Sequence, residues 1–424
     1  MNRTSQRSPW SVFAAVTLIF FFLNGATFTS LGVVLYTMVG ELHWSQAAAG
    51  FSFSLLGIAC GLCSPLPALM MKRVGGRWTI VAGAVALTLG FFLAAASTSL
   101  WVFYAAMLLL GLGYALGGNV PAIYLLAAWF PTNSARIIGL YLMMGAFGAT
   151  VGPPVVEAIV SGSGSWRTHW QVMGWAAVVV GLFCFAFVRD IDRRSTAAAA
   201  GAAAGALADA ASTPPQAEAE PWSNREAIFT SQFMLVAAAM AITMACVTTN
   251  SSVTISHLVR MGATPAFGAV ILSALALTAT LAKGIAGRLC EAMPLPHLLA
   301  GGLLAQALGN VILASADTTV LQYAAALVYG LGWGASFVAA NVVLLHYFGR
   351  DTGSHVLSVV WLLTTVAAAG PLAAGAIADA RGSFSLIFYV YAALLIAVAV
   401  PTFLMRAPVR RKAQTGLSPL SVTR

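Results

Sequence analysis

The segment ALTATLAKGIAGR, at residues 276–288, places one lysine in a long apolar part of the chain. Residues 261–282 before it carry no charged side chain. An ionised lysine inside a membrane helix costs about 2.5–3.5 kcal/mol on insertion scales, so such a residue usually has a function or extends to the membrane surface. Lys283 therefore has two interpretations. It binds a small monoanion such as a carboxylate as a charge-assisted donor, or its long stem reaches the surface near Glu291, about two turns further on.

Asparagine side chains form a second polar pattern. One lies on each of the first, fourth, seventh and tenth apolar segments defined below: Asn24, Asn119, Asn250 and Asn341. A buried amide needs hydrogen-bond partners, so each of these residues lines water, binds substrate or cross-links helices. We expect Asn119 to be the foremost substrate contact of the four. Tyr124, on the same segment, and Trp361, on the eleventh, are further candidates for substrate contact.

Acidic and metal-ligating side chains are scarce in the apolar segments. Glu157 alone lies well inside one, where it either carries a proton or sits at the interface near Arg167. The five cysteines fit small apolar residues on helices better than a disulfide or metal framework. The sequence has no metal-ligand cluster, no nucleotide-binding glycine loop and no nucleophile with a base. We therefore expect no enzyme activity, no cofactor and no metal site.

Composition indicates a protein that crosses a membrane many times. Of 424 residues, 60% are hydrophobic and 8% are charged, with a mean hydropathy of +0.88, whereas a soluble domain carries about 25% charged residues. Runs of about 20 apolar residues cross a bilayer as helices. The expected fold class is an all-α polytopic membrane protein with twelve transmembrane helices. They are predicted at 10–39, 46–71, 79–97, 100–129, 137–160, 166–188, 229–258, 264–287, 296–315, 319–347, 354–378 and 384–405.

Basic residues predict the orientation in the membrane. If the N-terminus is cytoplasmic, 17 of the 21 lysines and arginines lie on the cytoplasmic side and three on the other. The bias places both termini in the cytoplasm and explains the net charge of +9 without a nucleic-acid partner. Arginine far outnumbers lysine and alanine is abundant, as in proteins of GC-rich bacteria, so we expect a bacterial inner membrane protein.

The chain divides into two halves around a polar interruption. Residues 189–228 are rich in alanine and mixed in charge, which predicts a cytoplasmic linker. It separates an N-terminal half, 1–188, from a C-terminal half, 229–406, and a basic cytoplasmic tail, 407–424, follows. We expect each half to contain six helices.

The two halves repeat each other. Phe130 matches Phe348, and Gly152 before Pro153 matches Gly370 before Pro371, at one constant offset of 218 residues. A constant offset across two helices indicates internal duplication. Secondary transporters use such duplication to build two rocking halves around a central site.

Two loops resemble the signature loops of the major facilitator superfamily, in which an acid and two basic residues surround a turn glycine. The loop after the second segment reads KRVGGR, with Lys72 in the acidic position, and the loop after the eighth reads GRLCEAMP. The matching residues are Arg73, Gly75 and Arg77 in the first loop and Arg288 and Glu291 in the second. In the family these residues latch the cytoplasmic helix ends, so the resemblance implies that they act in gating. It extends over essentially the whole chain and implies the family's two pseudo-symmetric six-helix halves.

Within that superfamily the chain is most similar to the monocarboxylate-transporter branch. The similar stretches are FFLNGATFTSLGVVLYTMVGEL, YLLAAWFPTNSARIIGLYLMMGAFGATVGPPV and VILSALALTATLAKGIAGRL. Members of the branch often carry an acid and, four residues later, an arginine in the eighth helix. Ala279 stands at the place of the acid and Lys283 at that of the arginine. The resemblance implies an anion site at Lys283 in the central cavity.

These observations lead to one expected function and two alternatives. We expect a secondary active transporter that moves a small organic monoanion by alternating access. The coupling ion is a proton, carried by Lys283 or Glu157, and the protein works as a monomer in the lipid bilayer. The alternatives are an antiporter or efflux transporter of another small molecule and a non-transporting membrane sensor on the same fold. Efflux of cations would favour acids in the cavity, and the sequence places none there.

Overall fold

The computed structural model describes residues 9–131, 133–190 and 222–408, and the regular elements in these ranges are all helices. Eleven helices are long and apolar enough to cross a membrane, and a twelfth span results when the pair Gln46–Leu62 and Leu66–Val74, bent by 49°, is taken as one. The predicted fold class is therefore confirmed. The first eight residues, most of the predicted linker and most of the predicted tail lie outside the described residues.

The spans follow the predicted segments closely, and a short helix, Asn224–Ile228, precedes the seventh. In chain order they are Pro9–Leu42, Gln46–Leu62 with Leu66–Val74, Gly76–Ala95, Leu100–Trp129, Arg136–Ser163, Trp166–Phe187, Ser231–Arg260, Pro265–Ala292, Leu295–Ser315, Thr319–Phe348, Val359–Arg381 and Ser385–Phe403. We call the bundle end where the first span begins and the last span ends the terminal face, and the other end the opposite face.

Besides the bend in the second span, the first span is interrupted at Thr27 and the fourth at Gly118. At the first break the hydroxyls of Thr29 and Ser30 donate to backbone carbonyl oxygens five residues earlier. These bonds satisfy acceptors that the break removes from the helix. Irregular backbone at membrane depth is tolerated where it is buried in protein or lines a cavity.

Helical turns continue through the connection between the tenth and eleventh spans. The helix Thr319–Leu363 is uninterrupted, whereas the predicted segments leave residues 348–353 between them. The connection contains two glycines, which cost a helix about 1 kcal/mol each, but no proline. The helix ends with a 3₁₀ segment, Thr364–Ala368, shortly before Pro371. Because a proline has no backbone N–H and crowds the carbonyl four residues before it, the regular α-helix is interrupted just before Pro371.

Spans 1–6 and spans 7–12 each surround a buried apolar cluster, and the first cluster extends to Ile255, Ala269 and Leu272 of the second half. The halves meet along a seam in which the second span packs on the eleventh, the first on the seventh and the fifth on the eighth. Glycines bring backbones together there: Gly50 lies against the carbonyl of Pro371, and Gly32 against that of Ser251. Small residues allow this close approach of helices in lipid.

Toward the terminal face the halves separate. The last part of the second span, Leu66–Val74, and the last part of the fourth, Asn119–Trp129, pack substantially only on helices of their own half. The tenth span likewise packs substantially only within the second half. The seam thus closes the opposite face, and a cleft between the halves opens at the terminal face.

Candidate substrate site

Lys283 lies inside the membrane and its amine points toward the middle of it. The residue is nine positions before the end of the eighth span at Ala292, which corresponds to about 14 Å at 1.5 Å per residue. Its Nζ lies 4.7 Å from the ring centroid of Trp333 and 5.0 Å from that of Phe337. Both rings belong to the tenth span, fifteen and eleven residues before its end at Phe348.

The surface-reaching interpretation of Lys283 does not match this geometry. Glu291 is exposed near the terminal face, and within the described residues the ion pair that forms is Arg167 with Glu41, not Lys283 with Glu291. The ammonium rests on ring faces instead of reaching the surface. Cation–π contacts contribute about 0.5–1 kcal/mol at exposed sites and about 2 when desolvated. This is less than the cost of about 2.5–3.5 kcal/mol of placing the charge in the membrane, so an anion would stabilise it further.

Close packing of the eighth span on the tenth positions this lysine. Gly330 and Gly334 lie against the backbone of the eighth span around Ala279, and Gly334 also against that of Lys283. Ala279, at the place where the resemblance to the monocarboxylate-transporter branch would put an acid, is 1% exposed in this contact. A carboxylate at that position would be buried in the contact between two helices. The packing therefore explains why the cation has no acid one turn before it.

Two aromatic rings lie against the amine of Lys283, and a third ring packs on one of them. Phe337 lies 5.9 Å from Trp361 of the eleventh span, with their ring planes tilted by 59°. Trp361 is 44% exposed. The indole N–H of Trp333 is buried and has no hydrogen-bond partner among the described residues. The sequence singled out Trp361 but missed Trp333 and Phe337, whose four-residue spacing with Asn341 on one helix face was the available signal.

The two asparagines of the first half lie at or near the breaks in their spans, and tyrosines hold them. The hydroxyl of Tyr114 donates to Oδ1 of Asn24 at 3.4 Å, and Nδ2 of Asn24 donates to the carbonyl of Phe20. The hydroxyl of Tyr141 donates to Oδ1 of Asn119 at 3.3 Å. Asn119 is exposed at the break, and its amide nitrogen has no hydrogen-bond partner within the described residues. It is therefore available as a donor.

The two asparagines of the second half have different surroundings. Asn341 is partly exposed one turn after Phe337 and donates to its carbonyl at 2.6 Å. Asn250 is 1% exposed, and its Nδ2 donates to Oδ1 of Asn310 on the ninth span at 3.2 Å. Asn341 thus lies beside the aromatic rings, whereas Asn250 cross-links two helices away from Lys283.

Tyr124 and Glu157 lie away from the lysine, toward the two faces. Tyr124 is five residues before the end of the fourth span at the terminal face, and its buried hydroxyl has no partner in the described part of the chain. Glu157 is partly exposed near the opposite end of the fifth span. Arg167, near which Glu157 was expected if it sits at the interface, forms its ion pair with Glu41 at 2.8 Å.

The first of the predicted gating loops is fastened to the sixth span. Gly75 has a positive φ of 92°, which glycine adopts without steric cost. The carboxylate of Asp190 accepts hydrogen bonds from the backbone N–H of Gly76 at 2.6 Å and of Arg77 at 3.2 Å. Arg77 also donates to the carbonyl of Phe185 at 2.6 Å. Asp190 thus supplies an acid to a loop that has Lys72 at the acidic position. Sequence reasoning placed Asp190 in the linker.

The remaining gating candidates lie at the terminal face. Arg73 is exposed in the first loop, and Arg288 and Glu291 are exposed at the end of the eighth span. Neither Arg288 nor Glu291 forms an ion pair with any described residue. Their separation from the first half agrees with an open cleft at this face.

An acid that sequence reasoning missed fastens the halves at the opposite face. The carboxylate of Asp379, at the end of the eleventh span, accepts from the backbone N–H of Gln46 at 2.9 Å and of Ala47 at 2.8 Å. These are the first residues of the second span, whose unpaired N–H groups favour an anion. Asp379 therefore holds one half to the other where the cleft is closed.

Replacing Asp379 with asparagine is expected to loosen this closure. The variant loses the negative charge that favours the helix start and one of the two acceptor oxygens. A side chain that caps a helix start contributes about 0.5–2 kcal/mol to stability. Spin labels at Thr98 and Ala266, exposed on the two halves at the opposite face, would report the distance between them by double electron–electron resonance. We expect a longer distance to become populated. Asp317→Asn, at an exposed acid of the same face, is the control, and equal behaviour of both variants would contradict the role of Asp379.

Comparison with known proteins places this architecture in a family. Residues 17–369 match the Major Facilitator Superfamily. Similar curated proteins are an uncharacterised transporter, YycB, of Bacillus subtilis, 28% identical over 165 residues, and the class C tetracycline resistance protein of Escherichia coli, 27% identical over 172 residues. Each alignment covers 39% of this chain, and they cover 40% and 41% of the two relatives.

Solved structures resemble the chain over nearly its whole length. A bacterial homologue of the human lysosomal transporter Spinster, in an inward-facing and occupied conformation, has a TM-score of 0.73 at 15% identity, covering 93% of this chain and 96% of that one. The nucleoside transporter NupG has a TM-score of 0.69 at 16% identity, covering 93% and 99%. These similarities establish the fold, and the family match covers more than half of the sequence. The chain is a multi-pass membrane transporter that belongs to the major facilitator superfamily.

Proposed function

We propose that this transporter moves a small organic monoanion together with a proton. The observation that carries the proposal is the ammonium of Lys283, held at membrane depth against the rings of Trp333 and Phe337. In the described residues it has no acidic partner. A carboxylate that enters the cleft would find there a charge-assisted donor, about twice as strong as a neutral one.

The donors of both halves would share the anion. Lys283 belongs to the second half, whereas the free amide nitrogen of Asn119 belongs to the first. Asn24 and Asn341 lie on the first and tenth spans and are partly exposed. An anion that accepts from both halves would be released only when the halves move apart, which is the requirement of alternating access.

The coupled proton has two candidate carriers. The amine of Lys283 takes up a proton as the anion binds and gives it up as the anion leaves, so that nothing charged remains uncompensated when the halves rock. Glu157, in the fifth span nearer the opposite face, is the second candidate. A proton and a monoanion that move together carry no net charge, which lowers the cost of crossing the apolar region.

The terminal face is proposed to be cytoplasmic, in a bacterial inner membrane. The excess of basic residues at this end supports that orientation. The cleft that opens there then makes the structure inward-open, and the neighbour from the Spinster group is itself described as inward-facing. Function as a monomer is part of the same proposal, because one chain supplies both halves of the site.

Two other functions remain as outcomes of the test. The similarity to a tetracycline resistance protein favours an antiporter or efflux transporter of another small molecule as the alternative. Against cation efflux, the side chains around the cleft centre include a lysine and amides but, within the described spans, no acid close to them. A sensor on the same fold would bind its ligand without translocating it.

Uptake into proteoliposomes tests the proposed function. We expect radiolabelled lactate or benzoate to accumulate when an inward proton gradient is applied, and accumulation to stop when a protonophore collapses the gradient. The uncharged analogue benzamide should not accumulate. Accumulation that depends on a counter-substrate inside the vesicle, with no response to the proton gradient, would identify an exchanger instead. Binding to the purified protein without any uptake would identify a sensor.

A further inference from the structure

The side chains around Lys283 narrow the chemistry of the anion further. We infer that the transported anion is a monocarboxylate with a flat apolar group next to the carboxylate, an aryl carboxylate of about the size of benzoate. The inference rests on the proposed binding of an anion at Lys283. Three aromatic rings, one buried N–H donor and the absence of a second cation carry it.

The rings are placed to hold a flat group beside the ammonium. Trp333 and Phe337 lie within 5.0 Å of Nζ, and Trp361 lies 5.9 Å from Phe337 at an interplanar angle of 59°. Aromatic rings pair favourably in offset or edge-to-face geometry at centroid distances of about 4.5–7 Å. A ring that stacks on the exposed face of Trp361 would meet Phe337 beside it. The exposure of Trp361 leaves its ring accessible for this contact.

The indole N–H of Trp333 provides a second donor for the carboxylate. It is buried without a partner among the described residues, and an unpaired buried donor is unfavourable. The ring that carries it lies against Nζ of Lys283. One carboxylate can accept from the ammonium through one oxygen and from the indole through the other. The donors on this side then match a single carboxylate.

Small polar acids fit this surrounding less well. A dicarboxylate such as oxalate would bring a second negative charge, and in the described spans Lys283 is the one lysine or arginine nine or more residues from both ends of its span. Lactate has only a methyl group to place on the rings, so it gains less from burying apolar surface than an aryl group does. An aryl group removes apolar surface of both partners from water.

Equilibrium binding of a matched set of anions to the purified protein tests the inference. The probes are benzoate, lactate, oxalate and the uncharged benzamide, measured with wild type and with Lys283→Gln. We expect benzoate to bind at least tenfold more tightly than lactate or oxalate, a difference of about 1.4 kcal/mol. Binding of benzoate should be lost in Lys283→Gln, and benzamide should not bind.

Two variants distinguish the contribution of the rings to binding from that of the cation. Trp361→Leu should weaken benzoate about tenfold and lactate much less, whereas Trp333→Phe, which keeps a ring and removes the N–H, should weaken both. Trp175→Leu is the control, because Trp175 is an exposed tryptophan of the sixth span that also packs on a phenylalanine. Tighter binding of lactate or oxalate than of benzoate, still dependent on Lys283, would overturn the aryl inference and leave the proposed function intact. Anion binding that is unchanged in Lys283→Gln would overturn both the aryl inference and the proposed function.

Discussion

Replacing Lys283 with glutamine is expected to reduce proton-driven uptake of the monoanion by about 10- to 100-fold. A hydrogen bond to a charged group contributes about 1.5–3 kcal/mol, and each 1.4 kcal/mol corresponds to a factor of ten. Glutamine keeps the approximate length and a donor but removes the charge. The protein itself should fold at least as well as wild type, because the variant no longer places an ammonium against Trp333 and Phe337 at membrane depth.

The measurement is initial uptake of labelled monocarboxylate in proteoliposomes under an inward proton gradient. Lys283→Arg keeps the cation and should retain part of the activity, with a changed affinity because the planar guanidinium fits the rings differently. Arg406→Gln removes one positive charge from an exposed position at the terminal face and serves as the matched control. Wild-type uptake by Lys283→Gln would mean that the site lies elsewhere in the cleft, and the search for substrates would move to neutral and cationic compounds.

Replacing Gly50 with alanine is expected to hold the opposite face open and to bring transport close to zero. A Cβ atom at this position would lie closer than 3.0 Å to the carbonyl oxygen of Pro371, a backbone atom of the other half that no rotamer change can move away. Gly32→Ala would meet the carbonyl of Ser251 in the same way. Overpacking of a tight contact costs about 1–3 kcal/mol, enough to change the ratio of the two conformations by about 5- to 150-fold.

Because both glycines lie on the seam between the halves, the substitutions act on the conformation in which that seam is closed. The label pair at Thr98 and Ala266 should show the longer distance in Gly50→Ala, while the terminal face closes. Gly40→Ala and Gly301→Ala are matched controls, since an added Cβ at either position meets no atom within 4 Å. A wild-type distance distribution and wild-type uptake in Gly50→Ala would show that this contact does not limit closure.

The architecture could be derived from the sequence because its signals are local. A run of about twenty apolar residues defines a span wherever it occurs, and the excess of basic residues predicts the orientation. Lys283 stood out for the same reason, since a single charge after 22 uncharged residues is visible in one stretch of chain. The direction of its side chain could not be derived from such a local signal. It depends on how the eighth span rotates against the tenth, which the packing of Gly334 on Ala279 determines.

The contacts that sequence reasoning missed are those between distant parts of the chain. Asp379 accepts hydrogen bonds from the backbone of Gln46 and Ala47, more than 330 positions before it in the sequence. Asp190 accepts from the backbone of a loop more than 110 positions before it. Backbone N–H groups leave no side-chain pattern that could reveal such partners. Asn119 and Asn250 are the same residue type, and each lies on one of the four spans that carry a candidate asparagine. One is exposed at a helix break and the other is buried against the ninth span, so composition alone could not separate them.

The ring faces against Lys283 also bear on the half of the cycle in which nothing is carried. A cation at membrane depth without a counter-ion would hinder the return of the empty carrier, and a protein with that property exchanges one substrate for another and performs no net uptake. In the proposed cycle the amine of Lys283 gives up its proton as the anion leaves, and the neutral amine lies against the apolar rings of Trp333 and Phe337 on its own half. The empty carrier can then reorient with an uncharged lysine, so turnover does not require a second substrate molecule on the far side of the membrane.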